Sequence, residues 1–187
     1  MSKTHLKCAL IGGLIVFNWG IFSWMVFPWH QRCFQKFDNQ SAVASAIRNN
    51  APVEGIYILP NTFGYDERTS NGEIREGMQL MEYGPFMFAV VKPNGIGRMG
   101  VRPFVFQLII QIIGAFLLTW MLMQAKGITF GRTVGFSAIF GLSIGVLGLL
   151  PQWNWWGFDG GFVLVNMADM IIGWVLAGLA IGKLRRK

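Results

Sequence analysis

One acidic residue lies inside an otherwise apolar stretch of the sequence. Asp169 sits within Gly161–Ile181, and at 1.5 Å of rise per residue it falls about 12 Å from the Gly161 end of a helix. An acid at that depth in hydrocarbon is costly; it normally faces a bundle interior or a wet cavity, and often marks a proton or ion path. Asn166, three residues earlier, shares its helical face. Asn18 lies near the middle of a second apolar stretch, and Gln107 and Gln111, four apart, share a face of a third. These depths overlap, so one buried network of Asp169, Asn166, Asn18, Gln107 and Gln111 drawn from three helices is expected. Two roles compete for it. Amides and a carboxyl act as interhelical glue at roughly 0.6–2 kcal/mol per bond; alternatively, Asp169 exchanges a proton or cation, or grips a small polar ligand. The apolar stretches contain no second acid, histidine or tyrosine that would extend a pathway, which argues against a pump.

The other reactive residue types are sparse. His30 follows Trp29 at the end of the first apolar stretch, and its neighbours form no recognisable triad motif. Glu73, Glu76 and Glu82 lie in a polar stretch and are expected to be solvated. Cys8 and Cys33 fall at opposite ends of one apolar stretch, too far apart to pair. No Cys-x-x-Cys occurs, and no cluster of several His and Cys residues has metal-ligand spacing. No catalytic residue, metal or cofactor is assigned, and an enzymatic role is not favoured. Tryptophan is abundant instead. Trp153, Trp155 and Trp156, with Trp29 and His30, form a candidate interfacial contact for lipid or a partner. An aromatic belt is the simpler account, although Pro151–Gly161 is denser in tryptophan than a belt requires.

The elements that must position these residues are membrane helices. Of 187 residues, 53% are hydrophobic and 13% charged, about half the charge of an ordinary soluble domain. Cys8–Trp29, Phe104–Ala125 and Gly161–Ile181 each approach the ~20 residues that cross a bilayer core. Thr133–Leu150 is shorter and glycine-rich, with Pro151 expected to end it. Four spans result. The first is read as a retained anchor rather than a signal peptide, because bulky residues close it. With both termini inside, the cytoplasmic side holds Lys3, Lys7, Lys126, Arg132, Lys183, Arg185, Arg186 and Lys187 and no acid. The opposite side mixes bases with acids, as the positive-inside rule requires. The net charge of +7 therefore reflects topology and anionic-lipid contact at Lys183–Lys187, and no nucleic-acid surface. Ser137, Gly141 and Gly145, with Gly178 and Gly182, have the spacing that lets helices approach closely; Gly127, Gly131 and Gly135 extend it. Packing within the bundle is favoured over self-association.

Residues 30–103 read as an extracytoplasmic α+β cap between the first two spans, set between an N-terminal piece (1–29) and a three-span remainder (104–187). A helix over 38–50 is expected, with Asp38 or Asn39 capping it. Gly55–Leu59 and Gly84–Lys92 have strand character and are expected to pair, while Asn61–Gly77 reads as a loop. One span, a long outer loop with strand character, and three more spans resemble the claudin-like tetraspan layout. The resemblance is confined to topology: the claudin W…GLW…C…C pattern is missing, since the loop contains Cys33 alone and no tryptophan after Trp29. The expected protein is an all-α, four-span membrane bundle of a bacterial inner membrane. Its expected role is that of a scaffold, accessory subunit or envelope interaction protein, partnered by lipids and by a membrane or periplasmic protein or a second copy. The alternative is a small transporter or ligand-binding membrane protein built around Asp169.

Overall fold

The computed structural model describes residues 3–185. Four of its helical stretches are long and apolar enough to cross a membrane: Lys3–Val26, Arg102–Gln124, Phe130–Trp156 and Gly160–Leu184. The first, second and fourth are unbroken helices, α1 (Lys3–Val26), α4 (Arg102–Gln124) and α7 (Gly160–Leu184). The third combines α5 (Phe130–Gly148) with a short α6 (Leu150–Trp156). Between α1 and α4 lie α2 (Gln40–Asn50), β1 (Gly55–Leu59), α3 (Asn71–Tyr83) and β2 (Met87–Val91). The chain divides into two compact units: one holds everything through Gln35 and from Gly100 onward, the other Lys36–Met99.

Local chemistry sets the helix ends. Pro103 lies in the first turn of α4, where its missing N–H costs nothing. The Asp159 carboxylate accepts from the Phe162 amide at 2.8 Å and caps α7. Pro151 does not end the third span. The helix breaks at Leu149, and the proline then occupies the first turn of α6, the one helical position that tolerates it. Gly157, at φ 67°, closes α6 in the left-handed conformation. Trp153, Trp155 and Trp156 therefore stand on a helix rather than in a loop.

In the bundle unit, neighbouring helices run antiparallel. Gly12 of α1 lies against Ile181 of α7, and Gly173 of α7 against Val16 and Trp19 of α1. The α5–α7 pair is packed through small residues: Gly178 faces Ser137, and a Cβ added at Gly141 would lie 2.8 Å from the Met170 carbonyl oxygen. The expected small-residue seam is thus an internal one, holding two backbones at close range. Gly131 and Gly135 take no part, with nothing within 4 Å of an added Cβ. Val16, Ala115, Leu118, Trp174, Ala177 and Ile181 form the dry centre. Dispersion and close shape fit hold such a centre together.

In the second unit, β1 and β2 pair antiparallel, with Ile56 opposite Val90 and Ile58 opposite Phe88. The Asn39 side chain caps α2 by accepting from the Ala42 amide at 2.9 Å. Helix α3 begins within the stretch read as a loop. Ser70 and Glu73 form a reciprocal capping box there: the Ser70 hydroxyl accepts from the Glu73 amide at 3.2 Å, while the Glu73 carboxylate accepts from the Ser70 amide at 2.9 Å. Those bonds hold the Glu73 carboxyl below its usual range. They also offset the poor helix propensity of Asn71 and Gly72.

Candidate functional site

Asp169 is met by the chain reversal that follows α1. The helix stops at Val26, before Pro28. Residues 28–33 then form consecutive tight turns, with the Arg32 amide donating to the Pro28 carbonyl and the Cys33 amide to the His30 carbonyl, both at 3.1 Å. The Cys33 thiol donates to the Trp29 carbonyl at 3.2 Å. This reversal folds Trp29 and His30 back onto the last turns of α1, where Ser23 is fully buried. The Trp29 indole N–H donates to Ser23 Oγ at 3.0 Å, and Ser23 Oγ lies 3.1 Å from His30 Nε2. Trp24 stacks on the imidazole at 3.9 Å between centroids and 8° between planes.

The imidazole, with 0% of its side chain exposed, lies with Nε2 3.5 Å from Asp169 Oδ2, and the carboxylate is 5% exposed. At 3.5 Å the contact is long for a hydrogen bond, and it becomes an ion pair only when the imidazole is protonated. Backbone geometry reinforces it: the Trp19 indole N–H donates to the Asp169 carbonyl at 3.1 Å, tying α1 to α7 at this level. Two polar atoms in this group are buried without a hydrogen-bond partner, His30 Nδ1 and Asp169 Oδ1. Burial pushes the His30 imidazole below its usual value of 6.5, opposed in part by the charge of Asp169 and its hydrogen bond. The imidazole is therefore neutral at neutral pH, held beside a carboxyl group.

These contacts limit the chemistry. Serine, histidine and aspartate are together, but Ser23 and Asp169 both meet Nε2. A proton relay requires them on opposite ring nitrogens, so the group is not arranged as a nucleophilic triad. It also supplies two strong metal donors, fewer than a protein metal centre needs. Among the described residues, no three His, Cys, Asp or Glu side chains converge as a metal site. What the arrangement can do is hold a proton. Nε2 either accepts from the Ser23 hydroxyl or, when protonated, donates toward Asp169; it cannot do both. The position of one proton thus selects between two partners.

No known family model, curated protein or solved structure matches the chain.

The amides expected around Asp169 lie elsewhere. Asn166 is buried near it in sequence, but its amide donates to the Phe162 carbonyl of its own helix at 2.7 Å. Asn18 is exposed and likewise donates to the Leu14 carbonyl of α1 at 2.7 Å. Gln107 is exposed and Gln111 half-buried, and neither bonds to Asp169. A side-chain amide in a helix satisfies itself on the carbonyl four residues back, so shared depth did not require a shared network. His30 leaves the interfacial group for the interior. Trp153 and Trp155 are exposed, at 54% and 75%, and Trp156 and Trp29 are half-buried. Trp19 and Ser23 are the site residues that sequence reasoning missed. The available signal was Pro28 directly after a helix, with Ser23 and His30 on either side of the reversal.

Proposed function

We propose that the chain is a four-span integral membrane protein with both termini in the cytoplasm, and that the His30–Asp169 couple is its working site. The couple takes up a proton as the outer compartment acidifies, and the proton changes how the 27–33 reversal is held. The observation that carries this reading is the 3.5 Å contact between two buried ionisable groups, each retaining one unpartnered polar atom. Intramembrane ionisable residues are rare and usually functional, and a buried histidine is a common pH switch. The groups facing the imidazole are Ser23, Trp24, Trp29 and Asp169, with Cys33 bonded to the Trp29 carbonyl. Asp169 is the charged group among them. On protonation Nε2–H turns to Asp169, and the Ser23 hydroxyl loses its acceptor. This favours the proton-binding or transport alternative over a passive scaffold.

Trp24 makes the proposal measurable, because a protonated imidazole stacked on indole quenches its fluorescence. In detergent or nanodiscs, acidification should quench tryptophan emission with a midpoint below 6.5. His30→Gln should remove that transition. Asp169→Asn should keep the fold and move the midpoint lower still, since the lost charge favoured protonation. A transition unchanged in His30→Gln, or a midpoint indifferent to Asp169→Asn, overturns the proposal.

A partner-docking role for Lys36–Met99 is a second reading, favoured by the cross-strand pair Ile56 and Val90, which are 69% and 70% exposed. Ile56→Glu should then abolish site-specific cross-linking from position 90 in membranes. Retained cross-linking refutes it.

A further inference from the structure

At the opposite end of the bundle, a cavity of about 260 Å³ is lined by Thr4, His5, Cys8, Thr119, Met123 and Arg185. Thr4 is shared with a second hollow of about 210 Å³, lined also by Lys3, Lys7 and Leu184. His5, Cys8 and Thr119 are almost fully buried, at 3%, 1% and 2% exposure. Arg185, in the turn that closes α7, has its Nη1 buried with no hydrogen-bond partner. A guanidinium nitrogen withdrawn from water and left without an acceptor is costly. Among the described residues, no acid is paired with Arg185. The acids of the bundle unit are Asp159 and Asp169, at the start and in the first half of α7. The Thr119 hydroxyl donates to the Ala115 carbonyl at 2.8 Å, which leaves it no proton for another acceptor.

We infer that this cavity binds a phosphate group, with Arg185 as its principal ligand and Lys3 and Lys7 supplying further positive charge at its mouth. The guanidinium fork matches phosphate oxygens in two-point geometry. The exposed Thr4 hydroxyl, shared by the two hollows, offers another donor. The site is independent of the His30–Asp169 couple, which lies toward the other end of α1 and α7. Phosphate of this kind comes either from a phospholipid headgroup or from a free phosphate ester or ion.

The full-length protein in detergent distinguishes these sources. Its thermal unfolding is followed while inorganic phosphate or short-chain phosphatidylglycerol is added, with native mass spectrometry counting bound lipid. Stabilisation by the lipid alone assigns a headgroup site. Stabilisation by inorganic phosphate alone, or by both, assigns a site that accepts the free anion. Arg185→Gln should weaken binding at least about tenfold, the loss expected for a charged hydrogen bond. Arg185→Lys, which keeps the charge without the fork, should bind with intermediate strength and guards against misfolding of the first variant. Lys126→Gln, at an exposed position in the turn between α4 and α5, should bind as the parent does. The inference is overturned if neither ligand stabilises the parent protein, or if Arg185→Gln and Arg185→Lys bind as well as it does.

Discussion

At the scale of single residues, Ser23 is the hinge of the site. It accepts from Trp29 and contacts His30 while fully buried. Ser23→Ala would leave the Trp29 indole N–H unsatisfied, a loss of about 1–3 kcal/mol. A lower unfolding temperature in detergent should register it, whereas Ser41→Ala, on the exposed first turn of α2, should change little. The pH dependence of stability follows from His30. Its folded value lies below the usual 6.5. The stability it contributes is therefore full above that pH and lost as pH falls through the lowered folded value. Chemical denaturation at descending pH should show this decline in the parent and a weaker one in His30→Gln. Asp169 was legible from sequence because an acid in an apolar run is conspicuous. Its partner was not: His30 stands outside the helix, and only the reversal after Pro28 brings it back to the carboxylate.

At the scale of elements, the α5–α7 seam and the ends of α3 are the informative cases. Gly141→Ala would place a methyl 2.8 Å from the Met170 carbonyl oxygen. Backbone cannot yield as a side chain does, so the helices must part, at a cost of about 1–3 kcal/mol. Gly135→Ala meets nothing and should be neutral or stabilise the helix by up to about 1 kcal/mol. Paired unfolding measurements on these two variants separate helix propensity from interhelical packing. In the second unit, Ser70→Ala should cost about 1 kcal/mol and appear as faster amide exchange in the first turn of α3. The strands and α2 were readable because their cap and their β-branched and aromatic runs are local signals. Helix α3 was obscured because Asn71 and Gly72 look like a loop, although the serine and glutamate three residues apart already spelled its start. Pro151 misled in the opposite direction: proline reads as a stop, and here it begins a turn of helix.

At the scale of the whole molecule, the proposed orientation rests on the distribution of charge. Lys3, Lys7, Lys126, Arg132, Lys183 and Arg185 belong to the end that carries both termini, whereas Asp159 caps the start of α7. Arg186 and Lys187, part of the same basic tail, lie outside the described residues. In intact cells, with the native Cys8 and Cys33 replaced by serine, a membrane-impermeant maleimide should label Gly64→Cys and spare Lys126→Cys. The reverse pattern would overturn the orientation. The four long apolar helices were legible because length and hydropathy act over twenty residues at a time. Which polar groups meet depends on the facing of each helix, and that is decided by packing.

The reversal after α1 also carries a mechanical consequence. Lys36, where the second unit begins, is six residues beyond His30. A fully extended chain spans at most about 3.6 Å per residue, so the connecting chain can reach no further than about 22 Å from His30. A pull on the chain at Lys36 would reach His30 by way of the Gln31–Cys33 turn. A pull strong enough to unwind that short turn would draw the imidazole off the carboxylate and from beneath Trp24, so the same contact would be sensitive to load.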